Sequence, residues 1–263
     1  MPSATPLISD VIRRSPSLMH LSLDVDLNSH YINTTLVVDL AHIHPALRVL
    51  DCRSGDMHHI FQILTLTNQS LERIRVSTYN DRSFSEVLML APSGFPVLHE
   101  CHINLNNPGI QLLEMLCRTQ LPSLHVFSLT FEDVGEDVDV ESHLGAVGEF
   151  LGGAPAIGKQ LKYLTLCLPA FLPGSAKTFW AIQLTRFCPK LTHLALSFGK
   201  ADRYTVESEN ATGIVGVEVP PLMTTRYLRI CHPLAVLESG WCELTDRIKF
   251  PVLEVVEVHS DTR

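Results

Sequence analysis

The chain has 263 residues, of which 46% are hydrophobic and 18% charged, and its formal net charge is −8. That balance excludes a disordered polymer and supplies enough apolar surface for a continuous core. Its 20 Lys and Arg are scattered rather than gathered in a stripe, so no nucleic-acid surface is expected.

Residues 1–15 form a short N-terminal segment without the charged start and apolar run of a signal peptide. No run of about 18 apolar residues follows anywhere, so no membrane span is expected. The seven cysteines, at 52, 101, 117, 167, 188, 231 and 242, contain no Cys-x-x-Cys pair. Free buried thiols in a reducing compartment are the natural reading, which points to an intracellular protein, cytoplasmic or nuclear. Asn33, Asn68 and Asn210 begin glycosylation triplets that carry no weight without secretion.

A phrase Pro-x-Leu-x-x-Leu-x-Leu recurs along the chain. It is cleanest from Pro16 to Leu23, from Pro122 to Leu129 and from Pro189 to Leu196. Looser copies begin their Leu triplet at Leu47, Leu71, Leu98, Leu161, Thr225 and Leu253, giving intervals of 29, 24, 27, 26, 37, 30, 34 and 28 residues. Such spacing predicts an α/β leucine-rich-repeat solenoid of about nine irregular repeats, lengthened by two or three insertions. Repeats running from Leu18 to Val258 fill residues 1–263 as one domain.

The last two apolar positions of each copy lie two residues apart, the period of a half-buried strand. Between copies, Ile60, Ile63 and Leu64 recur at helical spacing, as do Ile110, Leu113, Met115 and Leu116. Phe179, Ile182, Leu184 and Phe187 repeat the pattern before Cys188 and Pro189 stop that helix. Units of this size cannot bury their own apolar faces, so neighbours must stack. The expected result is a curved parallel sheet on the concave side with helices on the convex side.

Alternation also gives the solvent face of the sheet. From the first half come His20, Ser22, Asp24, Asp51, Arg53, Arg73, Arg75, Glu100, His102 and Asn104. From the second come Ser128, Thr130, Tyr163, Thr165, His193, Ser197, Tyr227, Arg229, Glu257 and His259. Within this array Arg53, Arg73, Arg75, Glu100, His102, Tyr163, His193, Tyr227 and Arg229 are the candidate partner-binding residues. Arg73, Arg75 and Glu100 form its centre, since Arg supplies planar charge-assisted contacts.

Other motifs carry less. Gly153 to Gln160 comes within one residue of a phosphate-binding loop, but Gln160 stands where a hydroxyl must hold magnesium. Its context is reversed as well, since it follows an expected helix and precedes a strand. His99, Glu100, Cys101 and His102 are metal-capable types, yet alternation sends Cys101 and His102 to opposite faces. His42/His44 and His58/His59 lack further ligands at metal-site spacing. The acidic run Glu132, Asp133, Glu136, Asp137, Asp139 and Glu141 reads as a solvated insertion near 132–141, without the Gly and terminal Glu of a calcium loop. No Gly-x-Ser-x-Gly turn occurs, and Trp180 and Trp241 read as packing residues. No catalytic residue, metal or cofactor is therefore expected.

Phe187-Cys188-Pro189-Lys190-Leu191-Thr192-His193-Leu194-Ala195-Leu196, Phe95-Pro96-Val97-Leu98 and Phe250-Pro251-Val252-Leu253 resemble the irregular leucine-rich repeats of fungal F-box proteins, especially the basidiomycete set. In that family an F-box docks onto the linker subunit of a cullin ubiquitin ligase while the repeats present a substrate. The first repeat begins by Pro16, where no F-box fits ahead of it, so the linker contact is not expected of these residues. What the resemblance implies is a non-catalytic module that holds a protein or peptide on the concave face. The alternatives are a cryptic α/β hydrolase and a structural remnant without a specific ligand.

Overall fold

The computed structural model describes residues 14–24, 46–54, 64, 67–78, 94–105, 116, 119–131, 140–153, 157–168, 184, 186–198, 222–233 and 250–261. Contacts divide the chain into two compact units, Met1–Leu124 and His125–Arg263.

In the first unit, strands β1 (His20–Asp24), β2 (Val49–Ser54), β3 (Arg73–Thr78) and β4 (Glu100–Leu105) pair in chain order, every pair parallel. In the second, β5 (Val126–Phe131), β6 (Tyr163–Leu168), β7 (His193–Phe198), β8 (Tyr227–Pro233) and β9 (Val255–Asp261) do the same. Each unit is thus a solenoid-like stack of short parallel strands. Described helix is sparse: α1 (Val140–Gly152) and a 3₁₀ turn, Ile157–Gln160, both lie between β5 and β6.

The repeat phrase explains how each strand starts. In five copies Pro16, Pro96, Pro122, Pro189 or Pro251 takes the second position of a four-residue turn, where its fixed φ is already correct. The turn closes when the first Leu of the triplet donates its N–H three residues back, as Leu191 does to Cys188 at 3.2 Å and Leu124 to Leu121 at 3.3 Å. That Leu then drops into the interior: Leu47, Leu71, Leu98, Leu124, Leu161 and Leu191 are all fully buried. Thr225 replaces Leu in one copy and is equally buried, because its hydroxyl donates to the Leu191 carbonyl at 2.8 Å.

Past the turn, the chain joins its neighbour through one shared acceptor. The Arg48 carbonyl accepts the N–H groups of both Glu72 (2.8 Å) and Arg73 (3.1 Å), and the Glu72 carbonyl accepts those of His99 and Glu100. Met19 plays the same part toward β2, as do His125, Lys162, Thr192 and Arg226 along the second unit. Register follows from this anchor, and alternation then packs Leu21, Leu50, Ile74 and Cys101 in one interior column and Leu23, Cys52, Val76 and Ile103 in the next. Phe127, Leu164, Leu194 and Leu228 form the corresponding column of the second unit, where Phe127 meets Phe150 of α1 at 4.5 Å. That column ends on Val256, which is 54% exposed.

Of the three segments expected to be helical, Leu64, Leu116 and Leu184 have helical backbone and are buried. Helical backbone ends at Phe187 ahead of Pro189, and Cys188 N–H still reaches the Leu184 carbonyl at 3.0 Å. Ile60, Ile63, Ile110, Leu113, Met115, Phe179 and Ile182 lie outside the described residues, as do the acidic positions 132–139, His42/His44, His58/His59, Trp180 and Trp241. Gly153–Gln160 runs from the end of α1 into the turn before β6, so it joins helix to strand. Gly158 is needed there because a Cβ would fall 2.6 Å from the Phe187 carbonyl oxygen and 2.7 Å from that of Leu151.

Gly94 is required for a different reason. Its φ is +62°, and a Cβ would stand 2.2 Å from the Gln120 carbonyl, which also accepts Phe95 N–H. Asn68, buried, donates to the Gly94 carbonyl at 3.0 Å and fixes the bend from the preceding repeat. Gly94→Ala and Asn68→Ala should each cost about 1–3 kcal/mol in urea denaturation, through backbone strain and an unpaired carbonyl respectively.

Burial pushes the thiols of Cys52, Cys101 and Cys188 up to about 12, with Asp51 adding to the effect at Cys52. They are protonated at neutral pH and should react with a maleimide only as fast as the fold opens. Labelling rates that rise in step with the unfolded fraction would confirm this.

Candidate functional site

Parallel pairing in register stacks like positions into columns on the solvent side of each unit. On the first unit one column reads His20, Val49, Arg73, Glu100; the next reads Ser22, Asp51, Arg75, His102; a third includes Arg53, Ser77 and Asn104. Five of the nine candidate residues therefore lie on the adjacent strands β2, β3 and β4.

Their charges are not equally engaged. Arg73 grips Glu100 with two nitrogens, Nη2 donating to Oε1 at 2.9 Å while Nε faces Oε2. A fork on a carboxylate is the strong form of this contact. It holds the Glu100 carboxyl below the usual carboxylate range and raises Arg73 above the usual guanidinium value. Arg75 has a looser tie: Nη1 lies 3.6 Å from Asp51 Oδ2, and its side chain is 58% exposed. His102, half-buried, places Nε2 3.7 Å from Glu100 Oε2. Burial, and then the charge of Arg75, lowers its pKa against the opposing pull of Glu100. Cys101 sits on the other side of β4, in the core, as strand alternation requires.

The second unit presents rings instead. Tyr163, His193 and Tyr227 occupy one register column on β6, β7 and β8. Tyr163 and His193 stack with centroids 4.2 Å apart, and His193 and Tyr227 follow at 5.4 Å. Thr192 orients the middle ring. Its hydroxyl donates to the Lys162 carbonyl at 2.9 Å, which leaves His193 Nδ1 as the donor in their 3.0 Å contact. At the far end the Tyr227 hydroxyl donates to Glu257, and Arg229 Nε lies 4.0 Å from the same carboxylate. Beside the rings runs a floor of small side chains, Ser128, Thr165 and Ala195.

Sequence reasoning placed Asp51 and Glu257 on this face but did not single them out, although they are the acids that meet Arg75 and Arg229. It passed over the ion pairs Arg48–Glu72 at 3.5 Å and Arg226–Glu254 at 3.4 Å, which sit one residue before the strands. Their signal was legible in principle, as opposite charges at the same repeat position of consecutive copies. Among the described residues no group of three or more His, Cys, Asp or Glu stands close enough to hold a metal. Nor is any described helix long and apolar enough to cross a membrane.

Comparison with protein-family models and with curated protein sequences returned no match.

Glu100 and His102 both weaken the fold toward acid. Each has its folded pKa below its ordinary value, so the unfolded chain takes up the proton first and stability falls as pH drops. His102 acts below about 6.5, and Glu100 below about 4.5. Urea midpoints measured against pH should fall in both windows, with His102→Gln removing the upper decline and Glu100→Gln the lower.

Proposed function

We propose that this chain is a non-catalytic interaction module of the leucine-rich-repeat class, with helices on the side away from the sheet, which holds a protein or peptide against the solvent face of its strands. The observation that carries the reading is the contrast between the two sides of the same strands. Within each unit one side packs into a largely apolar interior, while the other sets charged groups in columns on the first unit and stacked rings on the second. Exposed Arg and Tyr side chains on a sheet suit a recognition surface, because Arg brings a planar fork of donors and Tyr a large contact area with little loss of side-chain freedom.

The Phe/Cys-Pro-x-Leu phrases resemble the repeats of fungal F-box proteins, although they mark the repeat class more sharply than the particular family. On that reading the face is the substrate-recognition part of an F-box-type ubiquitin-ligase receptor, and it holds a bound protein rather than transforming it.

Affinity capture from an extract of the organism that encodes the chain tests this. The wild type should retain a protein that is lost when Arg53 and Arg75 are changed to Glu, or Tyr163 to Ala and Arg229 to Glu, with unfolding curves unchanged. Retention indifferent to all four substitutions would overturn the assignment of the face.

A further inference from the structure

The sheet face of the second unit is almost without charge. The solvent-side positions of β5, β6 and β7, from Val126 to Ser197, hold no acid, lysine or arginine. Arg229 on β8 is the first fixed charge of that face, and Glu257 of β9 answers it at 4.0 Å. The same carboxylate accepts from the Tyr227 hydroxyl, so both charges are already engaged. A charged segment brought here would give up hydration against no open counter-charge, whereas a neutral one gives up little.

On this neutral ground stand three rings in a row. Tyr163, 43% exposed, stacks on His193 at 4.2 Å, and Tyr227 follows at 5.4 Å. The row crosses the strands, and the small side chains of Thr165 and Ala195 lie beside it, so the relief is a step with an aromatic wall and a low floor. The Tyr163 hydroxyl meets no acceptor among the described residues.

Tyr163 and Tyr227 lie two strands apart, which is roughly 9.6 Å. A polyproline II helix returns to the same side every third residue, after about 9.3 Å. An extended strand returns every ~6.8 Å and an α-helix every ~5.4 Å, so neither keeps step with both tyrosines. Polyproline II also has no internal hydrogen bonds, which leaves its carbonyls open to a donor such as the Tyr163 hydroxyl, and its stiffness limits the freedom lost on docking.

From this match of charge and period we infer that the ring row is a docking site for a proline-rich segment of the partner. The segment lies across β6, β7 and β8 in the polyproline II form, with prolines three residues apart against Tyr163 and Tyr227. The assignment rests on the reading of the sheet face as a recognition surface and adds the class of segment that it takes. A partner arginine laid on a ring is the rival use of such a surface, but the one acid within reach, Glu257, is spent on Tyr227 and Arg229.

The test is fluorescence anisotropy of the full chain with an end-capped, labelled peptide of three Pro-Ser-Ala units. One control carries Ala at each Pro, a second Arg at each Pro, and a third sets the prolines four residues apart. The Pro-Ser-Ala peptide should bind at least about tenfold more tightly than each control, the scale of one well-packed ring contact. Tyr163→Ala should remove roughly that factor, and so should Thr165→Lys, which leaves the rings in place and fills the floor; both positions are exposed, so unfolding curves should stay unchanged. No saturable binding of the Pro-Ser-Ala peptide, equal or tighter binding of any control, or wild-type affinity in both variants would each overturn the site. If those results accompany capture that still depends on Tyr163, only the proline-rich assignment fails. If capture is indifferent to the face as well, both readings fail.

Discussion

One carbonyl per repeat carries the architecture. At Met19, Arg48 and Glu72, and again at His125, Lys162, Thr192 and Arg226, a single oxygen receives two successive N–H groups of the following strand. A backbone that must satisfy its polar groups inside a stack has few ways to do so where a turn becomes a strand. The shared acceptor resolves that demand at each joint and leaves no freedom of register. A slip of one residue would send the buried leucines to water and the arginines to the core.

Fixed register is what turns a list of polar residues into a surface. Arg73 and Glu100 are 27 residues apart in the chain yet form a two-point ion pair because they are opposite each other on β3 and β4. Tyr163, His193 and Tyr227 become a stack for the same reason. The first unit therefore presents paired charges on this face, and the second presents flat, amphipathic rings.

Much of the scaffold was readable from sequence because its determinants are local. A Pro-led turn, a buried first Leu and a two-residue alternation specify strand, side and interior without reference to distant residues, whereas Thr225, which replaces that Leu in one copy, keeps its place by bonding to the remote Leu191 carbonyl. The candidate face was readable for the same reason. The state of each charge was not, since alternation places Arg73 and Arg75 alike while the register gives one a tight acid and the other a distant one. Nor does alternation state that Thr192 would orient His193, which depends on the hydroxyl also meeting the Lys162 carbonyl.

The exposure of Val256 bears on how such a stack comes apart. Its column neighbour Leu228 is 3% exposed, whereas Val256 is 54% and Val255 44% exposed, so β9 shields far less hydrocarbon than the strand it leans on. Cohesion in a linear array is a matter of adjacent rungs. The hydrocarbon that holds β9 against β8 is accordingly thinner than that which joins β6, β7 and β8, so β9 has the weaker grip on its neighbour.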